Sequence, residues 1–254
     1  MGAHSDSSVA STGVELAVRD FGGAGTGIIL IPGLGRTLAD WTIIAPILAT
    51  GHHVIALDVR GHGRSGDGPW SWDAATADVT AVADHFRMIN PALMGHSLGG
   101  MIASMWGRDH PQSAGIINLD GHGNPRPDQY VGLDPKWVAD QRAQLETMFK
   151  QQMAALDGPL SDAQIVALTE QQKAVAARVG APEDVFIEGL DRMLETRAGE
   201  TYLRPSPSGL GGEIYAALDA IDMYAIYREM TCPLLLFNAE DPALAAPGPA
   251  WIAG

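Results

Sequence analysis

A single cysteine, Cys232, rules out any disulfide within the chain; it precedes Pro233 and an apolar run, so it reads as a core filler rather than a nucleophile. Positive charge is scarce. Sixteen Lys and Arg stand against 30 Asp and Glu, a formal net charge of −14, which leaves no basic footprint for nucleic acid or for an anionic membrane surface. No apolar run reaches membrane-spanning length, and Met1 to Thr12 lacks the charged-then-apolar order of a signal peptide. The expectation is a cytoplasmic protein whose first ten or so residues are unstructured. Cys and His are nowhere grouped at metal-ligand spacing, and Gly33-x-Gly35 lacks the third glycine and the acidic partner of a dinucleotide fingerprint. No metal and no cofactor are therefore expected. Histidine, finally, is absent after His122.

With 46% hydrophobic residues in 254, the chain can bury a sizeable core. Its organising stretch is Asn90 to Gly100, in which a short apolar segment enters Gly95-His96-Ser97-Leu98-Gly99 and leaves with Leu98, Met101, Ile102, Met105 and Trp106 at helical spacing. A serine in a tight strand-to-helix turn projects its hydroxyl from the carboxyl edge of a sheet. The alternative is an ordinary glycine-rich turn with a buried serine.

Around it, Val14 to Arg19 alternates like a half-exposed strand, and Gly27 to Ile31 is a continuous apolar run of the kind covered on both faces. Leu38 to Ala49 reads as a helix with Trp41, Ile44, Ile47 and Leu48 inward, His53 to Leu57 as a strand, and Asp73 to Ile89 as a helix with Ile89 on its inner face. Gly115 to Leu119 and Pro233 to Asn238 are further buried-type strands. Strand and helix alternate, which predicts a parallel α/β sheet. From Asn124 to Asp222 the signals are only helical: Asp134-Pro135 as a start, Leu145, Met148, Phe149 and Met153 on one face, a capping box at Ser161-x-x-Gln164, and a third helix over Pro182 to Ala198. These residues are expected to form an all-helical insertion over the carboxyl edge of the sheet, or else helices packed on its flank. Trp137, Tyr215 and Tyr224 join Met148, Phe149 and Met153 as its large side chains, mostly packing and in part lining an apolar pocket.

Four motifs together resemble the α/β-hydrolase fold superfamily, over residues 14–124 and 222–242: Pro32-Gly33-Leu34-Gly35, Asp58-x-Arg60-Gly61-x-Gly63-x-Ser65, the Gly95 to Gly100 elbow, and Asn238-Ala239-Glu240-Asp241-Pro242. The resemblance implies a mostly parallel, doubly wound sheet with a helical cap inserted after the sixth strand, and here without the fold's last strand. The core would be residues 1–124 and 223–254 and the cap residues 125–222.

The resemblance further makes Ser97 the nucleophile, Asp241 the acid of the triad, and the backbone amides of Leu34 and Leu98 the oxyanion donors. Pro32-Gly33 stands where a His-Gly pair is commoner. Asp120 is the alternative acid, because some members carry the acid after the strand it terminates. The family's histidine follows the acid, but Gly254 closes this sequence soon after Asp241. The expectation is that the natural protein continues with a strand and a histidine-bearing loop. Within the chain His122 is the alternative base, weighed against a loop residue at the pocket mouth, and His96 reads as a packing residue pointing away from Ser97. The implied function is a serine hydrolase of an ester, lactone or related carbonyl compound acting through an acyl-enzyme on a small, mostly apolar substrate. Cofactor-free haloperoxidase-like or carbon–carbon bond hydrolysis and a non-catalytic binding pocket are the alternatives.

Overall fold

A computed structural model describes residues 4–123, 134–207 and 209–239, with only the backbone of Gln141, Arg142, Leu145, Phe149, Gln152 and Met153. The core elements run β1 (Ser5–Ser11), β2 (Val14–Asp20), β3 (Gly27–Ile31), α1 (Ala45–Leu48), β4 (His53–Leu57), α2 (Trp72–His85), β5 (Ala92–His96), α3 (Leu98–Asp109) and β6 (Gly115–Leu119). The chain continues through α4 (Pro135–Ala155), β7 (Pro159–Leu160), α5 (Asp162–Val179), α6 (Glu183–Met193), β8 (Leu194–Arg197), β9 (Glu200–Leu203), α7 (Leu210–Ala220) and α8 (Met223–Glu229) before returning to β10 (Leu234–Phe237).

The main sheet has seven strands in the order β1-β2-β4-β3-β5-β6-β10; only β2 runs antiparallel to its neighbours. Alternation along a strand sends successive residues to opposite faces. In β3, Ile29 and Ile31 join Ile55 and Leu93 beneath Val79 and Val82 of α2 and Ile102 of α3. Ile28 and Leu30 join Val54, Ala56 and Met94 on the other face beneath Trp41 and Ala45. All five β3 residues are buried, as a strand covered on both sides requires. The parallel α/β expectation is thus observed.

Four local expectations are corrected. The N-terminal residues are not unstructured: Ser5–Ser11 pairs along its whole length with β2, held by main-chain bonds and by Val9, which is buried. The helix expected from Leu38 to Ala49 is broken into a 3-10 turn (Leu38–Trp41) and the short α1, because Pro46 has no N–H to bond back and its ring would strike the preceding turn. Ile44 and Ile47 are consequently exposed rather than inward, as is Ile89 beyond the end of α2. The strand β10 is the outermost described strand, so Leu235 and Phe237 are half exposed instead of buried.

The insertion is not all-helical. The third helix stops at Met193, and Leu194–Arg197 turns back through Ala198 (φ 51°) and Gly199 (φ 85°) to pair with β9, which also pairs β7. Two successive residues at positive φ form the tight turn whose twist suits a hairpin. The capping box forms as expected: Ser161 Oγ accepts from the Gln164 amide (3.3 Å) and the Ser161 amide donates to Gln164 Oε1 (3.0 Å). Among the described residues no helix is long and apolar enough to cross a membrane.

Candidate active site

Ser97 sits between β5 and α3 at φ 50°, ψ −118°. A non-glycine residue there costs on the order of 1–3 kcal/mol and persists only where its surroundings over-determine it. Here they do. A Cβ on Gly95 would come within 2.1 Å of the Gly99 carbonyl oxygen, and one on Gly99 within 2.1 Å of the Ile31 oxygen, so both positions admit only glycine. The Ser97 amide donates to the Leu119 carbonyl (2.9 Å), which ties the turn to β6, and the Ser97 carbonyl accepts from Met101 (3.1 Å) as the first bond of α3.

The neighbouring loop leaves β3 at Pro32. Arg36 donates its amide to the Gly33 carbonyl (3.1 Å), closing a turn with Leu34 and Gly35 (φ 64°) at its centre. The Leu34 amide and the Leu98 amide, the latter at the first helical position, have no hydrogen-bond partner among the described residues. The loop packs on the elbow closely enough that a Cβ on Gly33 would lie 3.1 Å from His96 Nδ1 and 3.3 Å from Ser97 Cβ. His96 is exposed, with Nδ1 close to this loop at Gly33.

Beyond β6 the chain turns at Asp120, itself at φ 58°. The Asp120 amide donates to the Phe237 carbonyl (2.9 Å), and its Oδ1 accepts from the Ala239 amide (3.1 Å). Asn118, wholly buried, accepts the Gly121 amide on Oδ1 (2.7 Å), while its Nδ2 reaches Ser104 Oγ (2.9 Å) and the Tyr227 hydroxyl (3.1 Å). His122 is fixed by this same cluster: Nδ1 lies 2.9 Å from the Tyr227 hydroxyl and Nε2 2.9 Å from the Phe237 carbonyl oxygen. Burial pushes the Tyr227 hydroxyl well above the ordinary phenol range. The cluster presses Gly121 against the elbow, where a Cβ would lie 2.4 Å from the Ser97 carbonyl oxygen.

A cavity of about 470 Å³ opens over Ser97. Its floor is Leu34, Gly35, Arg36, Ser97, Met101 and Asp120; its roof comes from the insertion, through Leu168 and Gln172 of α5, Leu190 and Met193 of α6, and Tyr215 and Leu218 of α7. Of the large insertion residues singled out in sequence, Tyr215 lines it. Trp137, Met148 and Tyr224 are not among the lining residues, and the side chains of Phe149 and Met153 lie outside the described residues. Asp241 also lies outside them, whereas Asp120 shares the cavity wall with Ser97. Among the described residues no group of three or more His, Cys, Asp or Glu could hold a metal ion. Asn118, Tyr227 and Arg36 were not assigned roles from sequence, because each acts through partners distant along the chain or through a cavity wall that only the fold assembles.

Comparison with known proteins places this geometry in a family context. The sequence profile of the family described as "alpha/beta hydrolase fold" matches residues 27–242. The chain is 34% identical over 98 residues to the N-formylmaleamate deformylase of Pseudomonas putida, an alignment spanning 37% of each protein. It is 28% identical over 236 residues to the pimeloyl-[acyl-carrier protein] methyl ester esterase of Chromobacterium violaceum, covering 91% of the chain and 82% of the relative. Against some relatives, the deformylase included, the match thus spans less than half of the curated protein's length. Among solved structures, an E-2-(acetamidomethylene)succinate hydrolase superposes with TM-score 0.70 at 18% identity, over 92% of this chain and 80% of that one, which is a likeness of fold.

Proposed function

Since the chain belongs to the α/β hydrolase fold family, we propose that it is a serine hydrolase that cleaves a carboxylic ester, lactone or related small carbonyl compound through an acyl-enzyme on Ser97. The observation that carries this reading is the strained Ser97 turn at the floor of a cavity lined mostly by apolar side chains. The Ser97 hydroxyl attacks the carbonyl carbon, and the electron pair of the carbonyl bond moves onto its oxygen. The uncommitted amides of Leu34 and Leu98 stabilise that oxyanion, the first from a rigid turn and the second with the N-terminal dipole of α3 behind it. A general base, the role the family gives to a histidine after the acid, takes the Ser97 proton during attack; collapse expels the alcohol, which receives that proton, and water then releases the acid by the reverse sequence. The apolar roof excludes bulk water from the intermediate.

The acid is Asp241 by position in the family's motif, with Asp120 the alternative that shares the cavity wall with Ser97. Comparing Asp241→Asn with Asp120→Asn decides between them: the true acid loses kcat by orders of magnitude while the other variant does not. In this reading His122 is a loop-fixing residue, since both of its ring nitrogens are engaged by Tyr227 and the Phe237 carbonyl.

A second reading is a non-catalytic small-molecule pocket, favoured by one observation: a mostly apolar cavity of about 470 Å³ is enclosed between the sheet edge and the insertion. A fluorophosphonate probe separates the two. The hydrolase reading expects covalent labelling that disappears in Ser97→Ala; an unlabelled, well-folded protein that still binds small esters reversibly supports the binding pocket.

A further inference from the structure

The cavity wall is electrically unlike the rest of the chain. Acidic residues outnumber basic ones 30 to 16 overall, yet the charged residues on this wall are Arg36, Arg204 and Asp120. Asp120 Oδ1 is occupied by the Ala239 amide. Arg204 is spent on the Gly63 and Ser65 carbonyls and on Asp67. Arg36 is different. Its Nε and Nη2 make a bidentate pair with Asp40 at 2.8 and 2.6 Å, which uses one edge of the guanidinium and leaves Nη1 with no partner among the described residues. A guanidinium carries five N–H donors in a rigid plane, so the Asp40 clamp holds the group in one orientation while three donors stay open. Across the cavity Gln172 of α5 presents an amide that likewise has no hydrogen-bond partner among the described residues.

We propose that Arg36 is an anion anchor, so that the acyl part of the substrate carries a carboxylate joined by a short linker to the carbonyl that Ser97 attacks. This rests on the hydrolase reading of the same site. The length limit comes from the pocket: Arg36 is two residues from Leu34, both line the cavity with Ser97, and that cavity holds only about 470 Å³. A planar carboxylate matches the open edge of the fork, and the Gln172 amide can donate to it from the roof. A carboxylate entering a chain of net charge −14 gains nothing from the overall field. The open donors of a guanidinium held rigidly on the cavity wall therefore set preference for carboxylate-bearing acyl groups over neutral ones of the same size.

The test compares 4-nitrophenyl hemiglutarate with 4-nitrophenyl pentanoate, and in parallel measures binding of glutarate monomethyl ester and glutarate dimethyl ester to Ser97→Ala protein by calorimetry. The anchor predicts that wild type prefers the hemiester at least tenfold in kcat/KM. That preference should collapse in Arg36→Met, with Arg36→Lys in between because it keeps the charge but loses the fork. In the Ser97→Ala background the ratio of monoester to diester affinity should fall at least tenfold on adding Arg36→Met. A preference ratio that Arg36→Met leaves untouched overturns the anchor even if both esters are hydrolysed. The binding ratio judges it independently if neither ester is turned over, an outcome that would count against the hydrolase reading alone. Circular dichroism of each variant confirms that a lost ratio is not lost fold, and binding of inorganic phosphate as strongly as the monoester would point to a phosphorylated acyl group instead.

Discussion

Arg192 of α6 and Asp58 after β4 form an ion pair at 2.8 Å, with side chains 2% and 0% exposed. The pair joins the insertion to the sheet. Asp58 also accepts the amides of Leu38 (2.7 Å) and Arg64 (2.9 Å), so one carboxylate holds the loop after β3, the turn after β4 and α6 together. The outer end of Arg192 meets Asp6 of β1 at 3.3 Å, and Arg19 bridges Asp6 and Glu188.

Breaking such a pair from one side leaves an uncompensated buried charge. Arg192→Met should therefore destabilise by about 3–5 kcal/mol, more than Asp58→Asn, whose side-chain oxygen can still accept one amide. Denaturant unfolding of both variants checks this. Equal losses below about 1 kcal/mol would show that the pair does not hold α6 to the sheet.

Tyr227 tests whether the loop beside the elbow needs its hydrogen-bonded support. Its hydroxyl lies within 3.1 Å of Asn118 Nδ2, 3.0 Å of the Gly121 carbonyl and 2.9 Å of His122 Nδ1. Tyr227→Phe removes that hub at nearly constant volume and should cost about 1–3 kcal/mol. It should lower kcat more than it raises KM, since Asp120 and Gly121 flank Ser97 rather than the roof. A variant with wild-type kcat would mean that the backbone alone fixes the loop.

Acid should weaken the fold in two windows. Burial pushes His62 down to about 4, against the ring's hydrogen bond to the Arg60 carbonyl, with the Arg204 charge acting in the same direction as burial. Its folded pKa is depressed, so the stability from keeping it neutral is present above the unfolded value near 6.5 and is lost as pH falls toward 4, by about 3 kcal/mol. The Asp6 carboxyl is held below its ordinary 3.8 by hydrogen bonds from Arg19, so its smaller contribution goes only below that. Thermal unfolding from pH 7 to 3, with NMR of the His62 ring, tests both. A ring that titrates near 6.5 in the folded protein would contradict the first window.

The elbow was legible because its demands are local: Gly95, Ser97 and Gly99 need those residue types at that spacing whatever lies further along the chain. The doubly covered β3 was legible from its unbroken apolar run. The strand β1 was not, because Ser5-Asp6-Ser7-Ser8 carries no apolar alternation and is held by main-chain pairing to β2. The strand β8 was read as the end of a helix because Leu194, Glu195 and Arg197 are good helix formers, and tertiary pairing with β9 overrode propensity. Arg192 and Arg36 gave no signal, since their meaning lies in a partner 134 residues away in the first case and a cavity wall in the second.

Acyl-enzyme formation is the step on which the whole account turns. Mixing the protein with a slowly deacylating 4-nitrophenyl ester, quenching in acid within milliseconds and weighing the intact chain should show one added acyl group, mapped by digestion to the peptide bearing Ser97. The adduct should be absent in Ser97→Ala, whose kcat falls by roughly a million-fold, as for other serine nucleophiles. Turnover that survives in Ser97→Ala, or an acyl group found on any other residue, would contradict it.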